Sequence, residues 1–174
     1  MGRSKVRISV DGAFFVALSA AILLLPLKWL LCASFAAFIH ELSHFLALRL
    51  SGVEVRSIRI GAGGAMMSTA PMSARQEALC AAAGPLGGGM LILSAPLCPS
   101  LALCAFVQTG FNLLPIFPLD GGRVVRAFAF CILPPTVAGR FCRILQFAAL
   151  GAMIVLAIRF ATELGSCIVG FLPL

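Results

Sequence analysis

The sequence is short of charge: only 11% of its 174 residues are Asp, Glu, Lys or Arg, against roughly 25% in an ordinary soluble domain. That deficit excludes a soluble globular chain. Cysteine pairing is also missing. The seven cysteines, an odd number, stand at 32, 80, 98, 104, 131, 142 and 167, mostly inside apolar runs and with no Cys-x-x-C spacing, so they read as small packing residues rather than a disulfide framework or a cysteine metal site. The basic segment Arg3, Lys5, Arg7 and the apolar run from Ile8 to Leu27 are not followed by a small-residue cleavage site, which argues against a cleaved signal sequence and for a retained first span. Neither an internal repeat nor a low-complexity linker is visible. The chain therefore reads as one integral domain, residues 1–174, with its core in 30–123.

What is present is apolar. Hydrophobic residues make up 61% of the chain and mean hydropathy is +1.08, with runs that approach or reach the roughly 20 residues a helix needs to cross a bilayer. The expected fold is an all-α polytopic membrane protein of about five to six transmembrane helices. The spans are read as Asp11 to Leu27, Leu30 to Leu50, Gln76 to about Pro96, Leu101 to Leu119 and Phe141 to Phe160, with a partial one at Cys167 to Leu174. Val124 to Leu133 is too short to cross and is stopped by Pro134-Pro135. The third span is expected to be broken at Gly84-Pro85 and Gly87-Gly88-Gly89. Between the second and third, Val53 to Ile60 is rich in β-branched residues and leads into Gly61-Ala62-Gly63-Gly64, which predicts a short β-hairpin or re-entrant loop.

The formal charge of +7 does not imply nucleic acid, because the basic residues sit in short clusters at the ends of apolar runs. With the N-terminus inside, Arg3, Lys5, Arg7, Arg49, Arg56, Arg59, Arg75, Arg123, Arg126, Arg140 and Arg143 fall on the cytoplasmic side and Lys28 and Arg159 outside, the bias expected of cytoplasmic loops.

Inside the second span lies His40-Glu41-Leu42-Ser43-His44. On a helix, positions i and i+4 share a face, so the two imidazoles converge on one metal, and Glu41 can reach a water polarised by that metal. With two histidines and four glutamates in the chain, random placement produces this spacing roughly a few times in ten thousand. Each ionisable group inside a span costs on the order of 2.5 to 3.5 kcal/mol, so such groups default to function. Two imidazoles are one ligand short of a catalytic zinc site. Of the remaining acids, Asp11, Glu54, Glu77 and Glu163 stand at span ends or loops. Asp120 ends the string Asn112-Leu113-Leu114-Pro115-Ile116-Phe117-Pro118-Leu119-Asp120-Gly121-Gly122, although Asp-Gly-Gly alone is an ordinary turn signal.

Together, H-E-x-x-H in an early span and the later N-x-x-P-x-x-x-L-D-G-G pattern resemble the site-2 protease family of intramembrane metalloproteases, over roughly residues 8 to 160. The resemblance implies that His40, His44 and Asp120 ligate one zinc ion, that Glu41 is the general base, and that Asn112 helps hold substrate or the developing oxyanion. Ala83-Gly84-Pro85-Leu86 is similar to a third-span motif of the family. Many relatives have Asn two residues beyond Leu86; here Gly88 stands there and takes no polar role. No room is left for a PDZ or CBS domain. The compact layout looks most like the sporulation branch, typified by stage IV sporulation protein FB, which implies a bacterial enzyme of the cell membrane.

His44 lies five residues from Arg49, about 7.5 Å along a helix, which places the site just inside the cytoplasmic face. The expected substrate is a membrane protein or membrane-tethered peptide, with nucleic acid excluded, and an inhibitory or regulatory membrane partner is compatible with the family. The Val53 to Thr69 segment is a candidate to pair with an unwound substrate as an added strand. The rival reading is a transport or ion-binding protein that uses the same His, Glu and Asp cluster, but such proteins spread polar groups over several spans or repeat a half.

Overall fold

The structure is a computed structural model and describes the backbone of residues 6–170 and the side chains of residues 6–163. Arg3, Lys5 and the end of the Cys167 to Leu174 segment, residues 171–174, lie outside the described residues.

The chain begins with strand β1 (Arg7–Val10) and helix α1 (Gly12–Leu24). Asp11 joins them: its N–H donates to the Ile60 carbonyl at 2.8 Å, and its carboxylate pairs with Arg59 at 3.0 Å. Pro26, which lacks an N–H, ends the extended break after α1 and opens α2 (Leu27–Leu50), so Lys28-Trp29 falls in the first turn of α2 rather than between spans. Strands β2 (Val55–Gly61) and β3 (Gly64–Thr69) form the expected hairpin, and Gly64 takes a φ of 111° that only glycine adopts readily.

One expectation fails here. The chain is mostly helical but not all-α, because β1 pairs in parallel with β2, Ile8 opposite Ile58, to complete a three-stranded sheet of order β1-β2-β3. Under the sheet, Leu48, Val53, Val55 and Cys80 make a buried apolar cluster that Ile58, Met67 and Met72 extend.

Helix α3 (Ala74–Leu91) starts at a reciprocal cap, in which Ser73 accepts from the Gln76 N–H and the Gln76 side chain accepts from the Ser73 N–H. The expected break at Gly84-Pro85 is absent and α3 runs through it. Both residues are buried, with Cys80, Ala81 and Gly88, so the glycines serve close packing of α3 on its neighbours rather than a break in its path. The Leu101 to Leu119 span is divided: α4 (Pro99–Asn112) stops, residues 113–119 run irregularly around Pro115 and Pro118, and α5 (Asp120–Ile132) begins at the acid. Helix α6 (Pro135–Gly170) starts at the prolines that stop α5 and extends the expected last span at both ends.

By length and apolarity, three helical stretches among the described residues are able to cross a membrane: Leu27–Leu50, Ala74–Ser94 and Pro135–Glu163. The shorter α1, α4 and α5 measure about 20 Å each, so the expected five to six spans are not reached on these criteria. Helix α3 packs against α2, α4 and α5. The buried residues of these helices include Ala36, Ala81, Ala102, Ala105, Ala127 and Ala129, while large residues such as Leu23, Leu93, Phe106 and Ile154 are exposed. Small residues inside and large apolar residues outside are the arrangement of a multi-pass membrane protein, in which close helix packing replaces a large-side-chain core.

Candidate metal centre

His40 and His44 occupy the buried face of α2, together with Ala36 and Leu48, at the helical spacing the sequence predicts. Asp120 is the first residue of α5 and only 6% exposed. These three side chains, distant in sequence, meet. His40 Nε2 and His44 Nε2 each lie 3.0 Å from Asp120 Oδ2 and 3.2 Å from each other. They are the one cluster of metal-ligating type among the described residues. Ligands held tetrahedrally at the usual zinc distances stand about 3.3 Å apart, close to the edges of this triangle.

The proton inventory points the same way. His44 Nδ1 is 2.7 Å from the Cys80 carbonyl. A carbonyl only accepts, so Nδ1 carries the proton and Nε2 of the neutral ring presents a lone pair. That nitrogen faces a carboxylate oxygen and a second imidazole nitrogen. Two imidazole nitrogens and a carboxylate oxygen aimed at one point are a donor set for a cation, and a histidine whose far nitrogen donates to a carbonyl is the usual supported metal ligand. The residues present therefore fit a divalent metal.

Glycine creates the space for this cluster. A Cβ at Gly84 would overlap the His44 ring and approach His40 Cε1 to 2.8 Å, and one at Gly87 would overlap the Ser43 side chain. At Gly121 and Gly122 a Cβ would collide with the backbone at Leu113, Leu114 and Ile116. Asp-Gly-Gly is thus not a turn but the first turn of α5, kept bare so that the irregular 113–119 backbone can lie against it with Asp120 facing α2. Arg123, one turn on, approaches Asp120 Oδ1 at 3.8 Å and Glu77 at 4.0 Å. Gly84→Ala is expected to push the His44 ring off its position and so to weaken divalent-metal binding at the cluster. Metal titration of the purified variant checks this, and binding equal to that of the parent would refute the close packing of Gly84 on His44.

Glu41 lies outside the triangle. Its Oε1 faces the Ala65 N–H at 3.4 Å, and a Cβ at Gly64 would come within 3.1 Å of the same oxygen, so the start of β3 reaches back over α2. Asn112 ends α4 with its amide donating to the Gln108 carbonyl at 3.0 Å, and no hydrogen bond among the described residues links it to the triangle. Sequence reasoning missed the Cys80 carbonyl and the Ala65 N–H, because main-chain groups leave no trace in residue type. Of the close glycines, Gly84, Gly87 and Gly88 were visible only as a small-residue run.

The fold and the site together define a polytopic membrane protein with two histidines and an aspartate placed so that they could hold a metal ion, and a neighbouring glutamate. No protein-family model matches the chain. Over 106 residues the chain is 38% identical to zinc metalloprotease MJ0392 of Methanocaldococcus jannaschii; the match takes in 51% of this chain but 30% of that protein, so the chain spans less than a third of its relative. Among solved structures, its fold is similar to that of a site-2 protease from the same organism, with a TM-score of 0.61 at 21% identity over 97% of this chain and 86% of that one.

Proposed function

We propose that this chain is an intramembrane zinc metalloprotease of the site-2 protease type, hydrolysing peptide bonds in or beside membrane-embedded segments. The observation that carries the reading is the convergence of His40 Nε2, His44 Nε2 and Asp120 Oδ2 at 3.0 to 3.2 Å, with the His44 tautomer set by Cys80. The sequence similarity to a zinc metalloprotease supports it.

In this reading His40, His44 and Asp120 hold one zinc ion, which when bound lowers the pKa of water toward about 7 and polarises the scissile carbonyl. Glu41 takes the proton of the attacking water and passes it to the leaving amine as the C–N bond breaks. The Ala65 N–H holds one oxygen of this carboxylate and leaves the other free to act. Asn112 is assigned to the substrate or the oxyanion, a role that requires its amide to leave Gln108. The site sits near the cytoplasmic face of the cell membrane with the N-terminus inside, an orientation carried by the distribution of arginine. The finer reading, the sporulation branch with a membrane-associated sigma-factor precursor as substrate, rests on the layout of one helix before α2 and one after α5. Co-expression with candidate membrane-tethered transcription factors tests it: processing that disappears in Glu41→Gln supports the assignment, and processing that persists refutes it.

A transmembrane substrate must unwind before its peptide bonds are accessible, and an added strand would hold it. Ile58 and Ile60 cannot serve, because β2 is the central strand with both edges paired. Strands β1 and β3 are the two outer strands, and β3 is the one whose outer edge faces Glu41. Since Ala65 N–H points away from β2 toward Glu41, the alternation of an antiparallel pair turns Met67 N–H the same way. Met67→Pro removes that donor and leaves the β2–β3 ladder intact. It is expected to slow processing several-fold with zinc content unchanged; processing at the parental rate rules the added strand out.

A further inference from the structure

The two imidazoles of the centre are not held alike. His44 is oriented by the Cys80 carbonyl, whereas His40 Nδ1, on a residue 3% exposed, has no hydrogen-bond partner among the described residues. One other buried side-chain atom among them shares that condition, Thr109 Oγ1, on a residue of α4 that is 8% exposed. Both border position 88. A Cβ built there would stand 2.7 Å from Thr109 Oγ1 and 3.7 Å from His40 Nδ1, so the side chain that Gly88 lacks would occupy the space between the two atoms.

His40 Nε2 is aimed at Asp120 Oδ2 and His44 Nε2. To offer a lone pair there, the neutral ring must carry its proton on Nδ1, and a buried N–H requires an acceptor. Thr109 Oγ1 is the acceptor the fold supplies. Both atoms border the gap that the missing Gly88 side chain leaves, and a polar space between two such groups is where a buried water is retained.

We propose that Thr109 is a positioning residue for His40: through one water seated beside Gly88, its hydroxyl accepts from His40 Nδ1–H, setting the tautomer and ring orientation as Cys80 does for His44. Glycine at 88 is what admits the water. The proposal rests on the metal reading above and adds to it a supporting partner on a fourth helix, so that α2, α3, α4 and α5 all contribute to one centre.

The test measures the zinc affinity of the purified full chain in detergent by competition with a chelator, with the fold followed by circular dichroism. Thr109→Val keeps the shape and removes the hydroxyl. It is expected to lose roughly 10- to 100-fold in zinc affinity, the usual effect of deleting a partner behind a metal-bound histidine. Thr109→Ser keeps the hydroxyl and should hold zinc as the parent does. Gly88→Ala, whose methyl narrows the gap that the water needs, should lose affinity by the same order and reaches the question without touching Thr109. Parental affinity in Thr109→Val, or an equal loss in Thr109→Ser, overturns the proposal. A parent that binds no zinc overturns the metal reading and this proposal together, whereas a zinc-binding parent with an unaffected Thr109→Val overturns this proposal alone.

Discussion

Glu41→Gln is expected to abolish peptide hydrolysis while leaving the metal in place. The amide matches the carboxylate in shape and can still meet the Ala65 N–H through its carbonyl oxygen, but it cannot take a proton. General base catalysis contributes about 100- to 10,000-fold, so cleavage of a membrane-tethered reporter should fall by at least the lower figure. Zinc content should stay at the parental value, because Glu41 stands outside the triangle of His40, His44 and Asp120. Cleavage retained by the purified variant removes Glu41 from the mechanism.

Asp120→Asn is expected to fail differently. Asp120 Oδ2 is 3.0 Å from both imidazole nitrogens, and replacing the carboxylate removes the one anion that balances the cation at this point. Loss of a partner behind a ligand costs up to about 100-fold in metal affinity, and loss of the charged ligand itself should exceed that. Activity should fall with the zinc. The two variants thus separate base from ligand: one is loaded and inactive, the other empty and inactive. Equal zinc content in both would remove Asp120 from the ligand set.

The meeting of the two histidines was legible because their spacing is local. His40 and His44 are four residues apart on one helix, and periodicity alone puts them on one face. Asp120 could be singled out only through the motif it ends, since its meeting with α2 depends on the way α3 and α5 pack and on bare glycines at 121 and 122. The hairpin was legible for the same local reason, as β-branched residues followed by a glycine turn. Strand β1 was not: four residues long, it pairs with β2 across about fifty positions of sequence, and nothing in Arg7 to Val10 announces a distant partner. The unbroken course of α3 also escaped the sequence, because Gly84 and Pro85 break a solvated helix but fit one whose glycine face is pressed against His44. Thr109 escaped because a threonine in an apolar helix acquires meaning only beside an unpaired histidine nitrogen.

The most direct measurement of the central claim is the zinc content of the purified chain, taken together with cleavage of a membrane-tethered reporter before and after a chelator. The account predicts one zinc per chain, with cleavage lost on chelation and restored by adding zinc back. A chain that holds no metal, or one that cleaves equally well after its metal has been removed, contradicts it.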